Sequence, residues 1–239
     1  MSDEYTHLPA NTIINIDEKS PWNISDVIFS YLTMFSLVLL ALGSILYFNI
    51  DSNQLLFQVG MQLLLSFIAL AIVYYVIAKK YKIPFIKAMG INIKDISKNF
   101  FTGFSVSFML VISTTLVGYA FSLLGYHSND NSPYVGLSSE KLKIISTLAV
   151  FVAPAVEEIF FRGYMQPAMI KSFGPFGGIM ITSIIFGLSH SQYMNYSVAL
   201  VAVTVIGIVL GVTRYYTKSI MPGIFAHFFN NLFASLSLF

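Results

Sequence analysis

Residues 154–162 have the sequence Pro154-Ala155-Val156-Glu157-Glu158-Ile159-Phe160-Phe161-Arg162. They place two carboxylates and a guanidinium in one of the most apolar parts of the chain. An ionisable group at bilayer depth costs several kcal/mol, so such groups are usually paired or functional. On a helix, Glu158 and Arg162 share a face and favour an ion pair, whereas Glu157 is turned about a quarter of a circle away. Two interpretations remain open: Glu157 is a general base without a cation beside it, or it is a bystander to a structural ion pair.

Composition indicates a membrane protein. Of the 239 residues, 56% are hydrophobic and 10% are charged, whereas an average soluble domain has about 25% charged residues. The chain has no cysteine, which excludes disulfides, thiolate metal sites and cysteine nucleophiles. The first 26 residues are polar and acidic and show no cleavable signal peptide. We expect membrane lipid as a partner and no nucleic acid.

Seven apolar segments are long enough to be considered as bilayer spans, which need about 20 residues each. Pro154 favours a break or kink in the fourth, because proline suits the first turn of a helix. The sequence therefore predicts an all-α, polytopic transmembrane bundle of seven to eight helices. The polar tail is 1–26, and a single helical domain covers 27–239. The predicted spans are 27–50, 55–78, 100–124, 142–170, 176–190, 197–213 and 220–238.

Lysine and arginine collect in cytoplasmic loops. The loop between the second and third spans is rich in lysine, so we predict that it is cytoplasmic. Counting spans outward makes the amino terminus cytoplasmic in a multi-pass protein of the cell membrane, and it leaves Lys141 and Lys143 outside. A second full span created at Pro154 would spoil this pattern, so we predict one kinked helix or a partial span there. The lysines of the cytoplasmic loop are Lys79, Lys80, Lys82, Lys87, Lys94 and Lys98.

Two further polar sites interrupt apolar runs, at His190 and at His227 with Asn231. His227 and Asn231 are four residues apart and project from one helix face. A turn centred near Gly174 lies as far after Glu157 as it lies before His190. In an antiparallel helix pair both would be at equal depth, about 25 Å from the turn, so they could face each other. A lone histidine in an apolar helix is more often a hydrogen-bonded core residue, but three such sites together favour a meeting of these polar groups.

Three motifs carry a family resemblance: Glu157-Glu158-x-x-x-Arg162, Phe186-x-x-x-His190 and His227-x-x-x-Asn231. Together they resemble the signature of the CAAX protease and bacteriocin-processing family of intramembrane glutamate proteases. The motifs lie within 142–239, and the first three spans carry none.

The resemblance implies a metal-independent endopeptidase that hydrolyses a peptide bond of a membrane-associated or lipidated peptide. It implies that Glu157 is the general base, that His190 helps to activate the water, and that His227 and Asn231 hold the oxyanion. Glu158 and Arg162 would support the site. Its implied substrates are prenylated C-termini or pheromone and bacteriocin precursors, and no cofactor is expected.

Three alternatives remain. Zinc bound by Glu157, His190 and His227 would also activate water. A proton-coupled transporter could use buried Glu and His as a relay, although no matching broken helices occur in the first half of the chain. A non-catalytic scaffold could keep the same polar cluster. A serine mechanism through Ser189 or Ser191 is disfavoured, because neighbours on a helix point in different directions.

Overall fold

The computed structural model describes residues 20–49, 55–126, 136–193 and 195–236, and every regular element among them is helical. This confirms the predicted all-α class. The elements in order are α1 (Ile24–Tyr47), α2 (Leu55–Tyr74, continued by the π-helical turn Tyr75–Lys80), the short α3 (Phe85–Ala88), α4 (Ile96–Leu123), α5 (Ser139–Phe151), α6 (Ala153–Glu157, continued by the π-helical segment Glu158–Met165), α7 (Gln166–Ser189), α8 (Ser197–Thr217) and α9 (Met221–Leu236).

The outer helices expose apolar side chains in the manner of a protein that faces lipid. Along α1 only 6% of the most apolar window is buried, and Phe29, Phe35 and Leu40 are among the large side chains left exposed. So much exposed apolar surface requires an apolar solvent. The chain is therefore an integral membrane bundle. Within the part of the chain that the structure describes, five stretches are long and apolar enough to span a bilayer: Ile24–Tyr47, Leu55–Lys80, Ile93–Leu123, Ala153–Ser189 and Ser197–Thr217.

The predicted span 142–170 is broken just before Pro154. Helix α5 ends at Phe151, and Val152 has φ −103° and ψ −53° before α6 begins. With 13 residues, α5 is about 20 Å long, shorter than the roughly 30 Å bilayer core. Helix α5 alone is therefore too short to cross the bilayer.

A tight turn at Gly174 folds the 37-residue stretch Ala153–Ser189 into two antiparallel arms. Gly174 has φ 71° and ψ 172°, a backbone conformation that glycine adopts without strain. The arms touch closely, because a Cβ placed on Gly178 would lie 2.5 Å from the backbone nitrogen of Ile170. The sequence correctly predicted a turn here.

The first arm, residues 153–173, lies at the centre of the bundle. Helices α8 and α9 pack against it, as do α1 and α2, and α9 also runs along α4. The buried apolar core extends over all of these elements and includes Trp22, Ile77, Met89, Leu110, Tyr164 and Leu210. Residues at the start of the first arm are therefore shielded by several helices at once.

Helix α9 starts deep in the bundle. The backbone N–H of Ile220 donates to the Met89 carbonyl at 3.1 Å, and the Met89 side chain packs against Gly163. The turn at Gly174 is eleven residues further along the arm, so it extends about 16 Å beyond this level. Residues 237 and 238 of the predicted last span lie outside the described residues.

The segment predicted as a polar tail is partly helical and buried. Helix α1 begins at Ile24, and Ser20, Trp22 and Asp26 are buried. Lys80 pairs with Asp26, which joins α1 to α2. Residues 1–19 of the predicted tail lie outside the described residues.

Candidate active site

The Glu158 and Arg162 side chains form a fully buried ion pair. Both are 0% exposed, and Arg162 Nη1 lies 3.1 Å from Glu158 Oε1. Arg162 Nη2 also donates to the Gly207 carbonyl at 3.2 Å, and the guanidinium carbon is 4.2 Å from the centre of the Phe186 ring. The guanidinium is thus held by a carboxylate, a carbonyl and an aromatic face.

The helix that carries this pair is π-helical from Glu158 to Met165, whereas the sequence analysis assumed a regular α-helix. Pro167 has no N–H to offer the carbonyl of Gly163, four residues earlier, so the α pattern cannot continue through this point. π-Helical turns are wider than α turns and occur frequently at functional sites. The ion pair between residues four apart is retained in the wider turn.

Glu157 faces both histidines. Its Oε2 lies 3.9 Å from His190 Nε2 and 3.8 Å from His227 Nε2. The Glu157 side chain is 24% exposed, in contrast to the enclosed Glu158. The separations exceed a direct hydrogen bond and suit contacts shared with a water molecule. The ends of α6 and α7 and the first turns of α9 meet here.

His190 ends α7 instead of lying within it, with φ −86° and ψ 65°. Its Nδ1 is 2.8 Å from the Phe186 carbonyl, and a carbonyl can only accept, which assigns the hydrogen to Nδ1. In the neutral ring, Nε2 therefore presents its lone pair toward Glu157. The Tyr193 ring is nearly parallel to the imidazole, with 6.3 Å between centroids.

His227 lies between the two carboxylates. Its Nδ1 is 3.7 Å from Glu158 Oε1, while Nε2 faces Glu157. The close approach of α9 depends on Gly223, because a Cβ there would lie 2.5 Å from Glu158 Oε2. A single imidazole thereby connects the exposed and the buried acid.

Asn231 is directed toward α5. Its Nδ2 donates to the Ala149 carbonyl at 2.8 Å, and its Oδ1 accepts from Asn230 at 3.3 Å. The structure brings Glu157, His190 and His227 together, with Glu158 and Arg162 behind them, and it holds Asn231 in a contact between helices. One amide hydrogen of Asn231 is not used in the Ala149 bond.

The contacts that attach α8 to the first arm were not predicted from the sequence. Gln166 Nε2 donates to the Gly211 carbonyl at 3.0 Å, one turn beyond the bond from Arg162 to Gly207. A Cβ on Gly211 would lie 2.9 Å from Gln166 Oε1. The available signal was the spacing of two glycines four apart, a pattern that permits close helix contact in membranes.

An apolar cleft of about 180 Å³ lies between α4, α5, α6 and α9. Two of its lining residues, Ala155 and Phe228, are near Glu157 and His227 in sequence. Its lining residues are Phe100, Val150, Phe151, Pro154, Ala155, Ile224, Phe225 and Phe228. Across the described ranges, no group of three or more His, Asp or Glu side chains is arranged to hold a metal ion.

Fold and site together define a polytopic helical membrane protein with an acid and two imidazoles gathered beside a buried ion pair. Residues 140–233 match the family model described as Type II CAAX prenyl endopeptidase Rce1-like. All three motifs lie in this region, so the family resemblance is confirmed there, and the family is one of proteases. Comparisons with curated proteins and with solved structures each found no match.

Proposed function

We propose that this protein is an intramembrane endopeptidase in which Glu157 activates a water molecule for attack on a peptide bond. One observation carries the proposal: Glu157 Oε2 lies within 3.9 Å of Nε2 of both histidines. Arg162 is paired with Glu158 at 3.1 Å. Glu157 is the acid that faces Nε2 of both imidazoles.

In the first step, Glu157 accepts a proton from water while the water oxygen bonds to the carbonyl carbon of the substrate. His190 can accept the second water hydrogen at Nε2, because its Nδ1 hydrogen is engaged by the Phe186 carbonyl. This contact orients the water between two acceptors. General-base catalysis of this kind contributes about 10²- to 10⁴-fold in rate.

The attack places a negative charge on the former carbonyl oxygen. His227 can donate to this oxygen from Nε2, and Asn231 can donate its second amide hydrogen. Each donor of this type is worth about 10²- to 10³-fold. The C–N bond then breaks, the proton held by Glu157 passes to the leaving nitrogen, and the products are a carboxylic acid and an amine.

We propose that this reaction needs no metal or other cofactor. The roles above are filled by carboxylate, imidazole and amide groups of the chain. If a zinc ion held by Glu157, His190 and His227 supplied the nucleophile instead, 1,10-phenanthroline would abolish cleavage and zinc would restore it. The expected result is unchanged cleavage after chelation.

The substrate that the site fits best is a peptide held at the membrane by an apolar anchor. The apolar cleft between α4, α5, α6 and α9 supports a substrate with a hydrocarbon or apolar portion. A prenylated C-terminal peptide of the CAAX type agrees with the family description. A pheromone or bacteriocin precursor is the other peptide class to be compared.

We further propose a cytoplasmic amino terminus and a location in the cell membrane. Lys171, beside the Gly174 turn, donates to the Ser20 carbonyl and to Asn23 Oδ1, so the turn and the amino-terminal segment share one end of the bundle. That end should be cytoplasmic by the distribution of lysine. Because the chain has no cysteine, thiol labelling of Lys94→Cys and Lys143→Cys in intact cells tests the orientation directly.

The catalytic proposal is tested with the full chain in lipid nanodiscs and a fluorogenic farnesylated CAAX peptide. Glu157→Gln keeps the shape of the side chain and removes the base, so cleavage should fall by about 10²- to 10⁴-fold. Glu140→Gln, an exposed glutamate at the start of α5, is the matched control and should retain full activity. Equal cleavage by both variants would refute the role of Glu157. A cellular phenotype that survives Glu157→Gln without any cleavage would favour the scaffold.

A further inference from the structure

The amino-terminal segment reaches the helix that carries the two acids. Trp22 is 0% exposed, and its indole Nε1 donates to the backbone carbonyl of Tyr164 at 2.8 Å. The two aromatic rings also pack together, with 5.9 Å between their centroids. Tyr164 lies two residues after Arg162 in the π-helical segment, whereas Trp22 lies far outside the family-matched region 140–233.

The Tyr164 carbonyl that accepts this bond lies next to the end of the π-helical segment. The π-helical segment ends at Met165 and is followed by Pro167, which cannot donate to the carbonyl of Gly163. Backbone hydrogen bonding is therefore irregular next to Tyr164, and a buried backbone group needs a partner. A donor from the segment before α1 fixes the backbone at the point where the wider turn returns to α geometry.

Trp22 is itself held in place from two directions. The Ser20 hydroxyl donates to the Trp22 carbonyl at 3.1 Å. Ser20 and Asn23 flank Trp22 in the sequence, and Lys171 holds both of them. Its Nζ donates to the Ser20 carbonyl at 2.8 Å and to Asn23 Oδ1 at 2.7 Å. The indole therefore bridges a fixed amino-terminal segment and the first arm.

The same tyrosine also contacts α1, and this contact serves as an internal comparison. The Ser30 hydroxyl is 2.9 Å from the Tyr164 hydroxyl, and Ser30 is 0% exposed. This bond holds only the tip of the side chain, whereas the Trp22 bond holds the backbone. Loss of either bond should affect stability, but only loss of the Trp22 bond should release the backbone of the turn.

We infer that Trp22 is a positioning residue, which holds the π-helical turn in the geometry that places Glu158 and Arg162 behind Glu157 and His227. The amino-terminal segment then belongs to the catalytic unit, although it carries no motif. This inference rests on the proposed function for its effect on cleavage, while its effect on the turn can be measured without any substrate.

A single-atom change isolates the hydrogen bond. The chain contains one tryptophan, so biosynthetic replacement of tryptophan by β-(3-benzothienyl)alanine alters only position 22, exchanging N–H for sulfur and retaining the ring shape. Amide hydrogen exchange is followed by mass spectrometry on peptides that cover 158–165, with the full chain in nanodiscs. Exchange in this segment should increase at least tenfold, and Ser30→Ala should leave it within about twofold of the unmodified protein.

Cleavage of the farnesylated probe gives the second readout. Because a 1 Å displacement of catalytic groups can cost about 10²-fold, kcat should fall about tenfold or more in the benzothienyl protein and in Trp22→Phe, with KM unchanged. Ser30→Ala should keep the kcat of the unmodified protein. Unchanged exchange in 158–165 would overturn the inference, as would an equal loss of kcat in Ser30→Ala.

Failure of this inference is distinguishable from failure of the proposed function. If the unmodified protein cleaves no probe, the exchange experiment still decides whether Trp22 holds the turn. If Glu157→Gln proves active, the catalytic proposal fails while the exchange result stands on its own.

Discussion

Replacing Arg162 with methionine should leave the Glu158 carboxylate buried without a cation. Both side chains are 0% exposed at a separation of 3.1 Å, so no solvent screens the remaining charge. Removal of one partner of a buried ion pair costs about 3–5 kcal/mol. Arg162→Met also forfeits the bond to the Gly207 carbonyl and the contact with the Phe186 ring, which places the expected loss toward the upper part of that range.

The matched double variant separates charge from packing. Glu158→Gln with Arg162→Met leaves no buried charge, so it should be more stable than Arg162→Met alone. Coupling energies between residues in contact are about 0.5–3 kcal/mol, and a fully buried pair should lie near the upper limit. The helix would then retain its shape without the guanidinium.

Thermal unfolding in detergent, with helix content followed by circular dichroism, measures the effect. For a chain of this size, 1 kcal/mol corresponds to about 2–4 °C in Tm, so Arg162→Met should lower Tm by about 10 °C or more. The double variant should recover part of that loss. Two results would refute the assignment of a tightly coupled buried pair. One is a stability loss in the double variant equal to the sum of the losses in the two single variants. The other is a loss below about 1 kcal/mol for Arg162→Met.

Three further outcomes are expected from the described contacts. Gly223→Ala should destabilise the protein by about 1–3 kcal/mol in thermal unfolding, because its Cβ would lie 2.5 Å from Glu158 Oε2, whereas Gly60→Ala has open space and should be neutral. Phe186→Leu should lower kcat and cost about 2–3 kcal/mol by removing the ring beneath the guanidinium, and an unchanged kcat in the probe assay would contradict this. Burial and a hydrogen bond to the Asp26 carboxylate raise the pKa of Tyr81 from 10.0 to about 12. The stabilising contribution of this tyrosine should be complete below pH 10 and disappear as pH rises through 12. Ultraviolet titration of the protein compared with Tyr81→Phe can detect this change.

The meeting of Glu157 with His190 was accessible from sequence because it depends on counting along one hairpin. The turn signal at Gly174 and the 1.5 Å rise of a helix set both residues at equal depth, and the structure places their side-chain atoms 3.9 Å apart. The pairing of Glu158 with Arg162 was equally accessible, since four residues span one turn. Both are local features of a single segment.

Contacts between distant helices were not accessible in this way. The sequence gives no periodic signal that Asn231 donates to Ala149, because that bond depends on how α9 crosses the short helix α5. The indole of Trp22 belongs to a segment predicted as polar tail, and its partner is a backbone carbonyl. The π-helical turn depends on Pro167 together with such outside donors, which no residue pattern in the turn itself reveals.

The spacing of the buried ion pair also bears on how the protein enters the bilayer. Glu158 and Arg162 lie on consecutive turns of one segment, so they can neutralise each other before α8 and α9 leave the ribosome. A separate acid and base on different helices would each face lipid alone until the later helix arrived, at a cost of several kcal/mol apiece. Local pairing lets the translocon receive this acid and this base as an already neutralised pair.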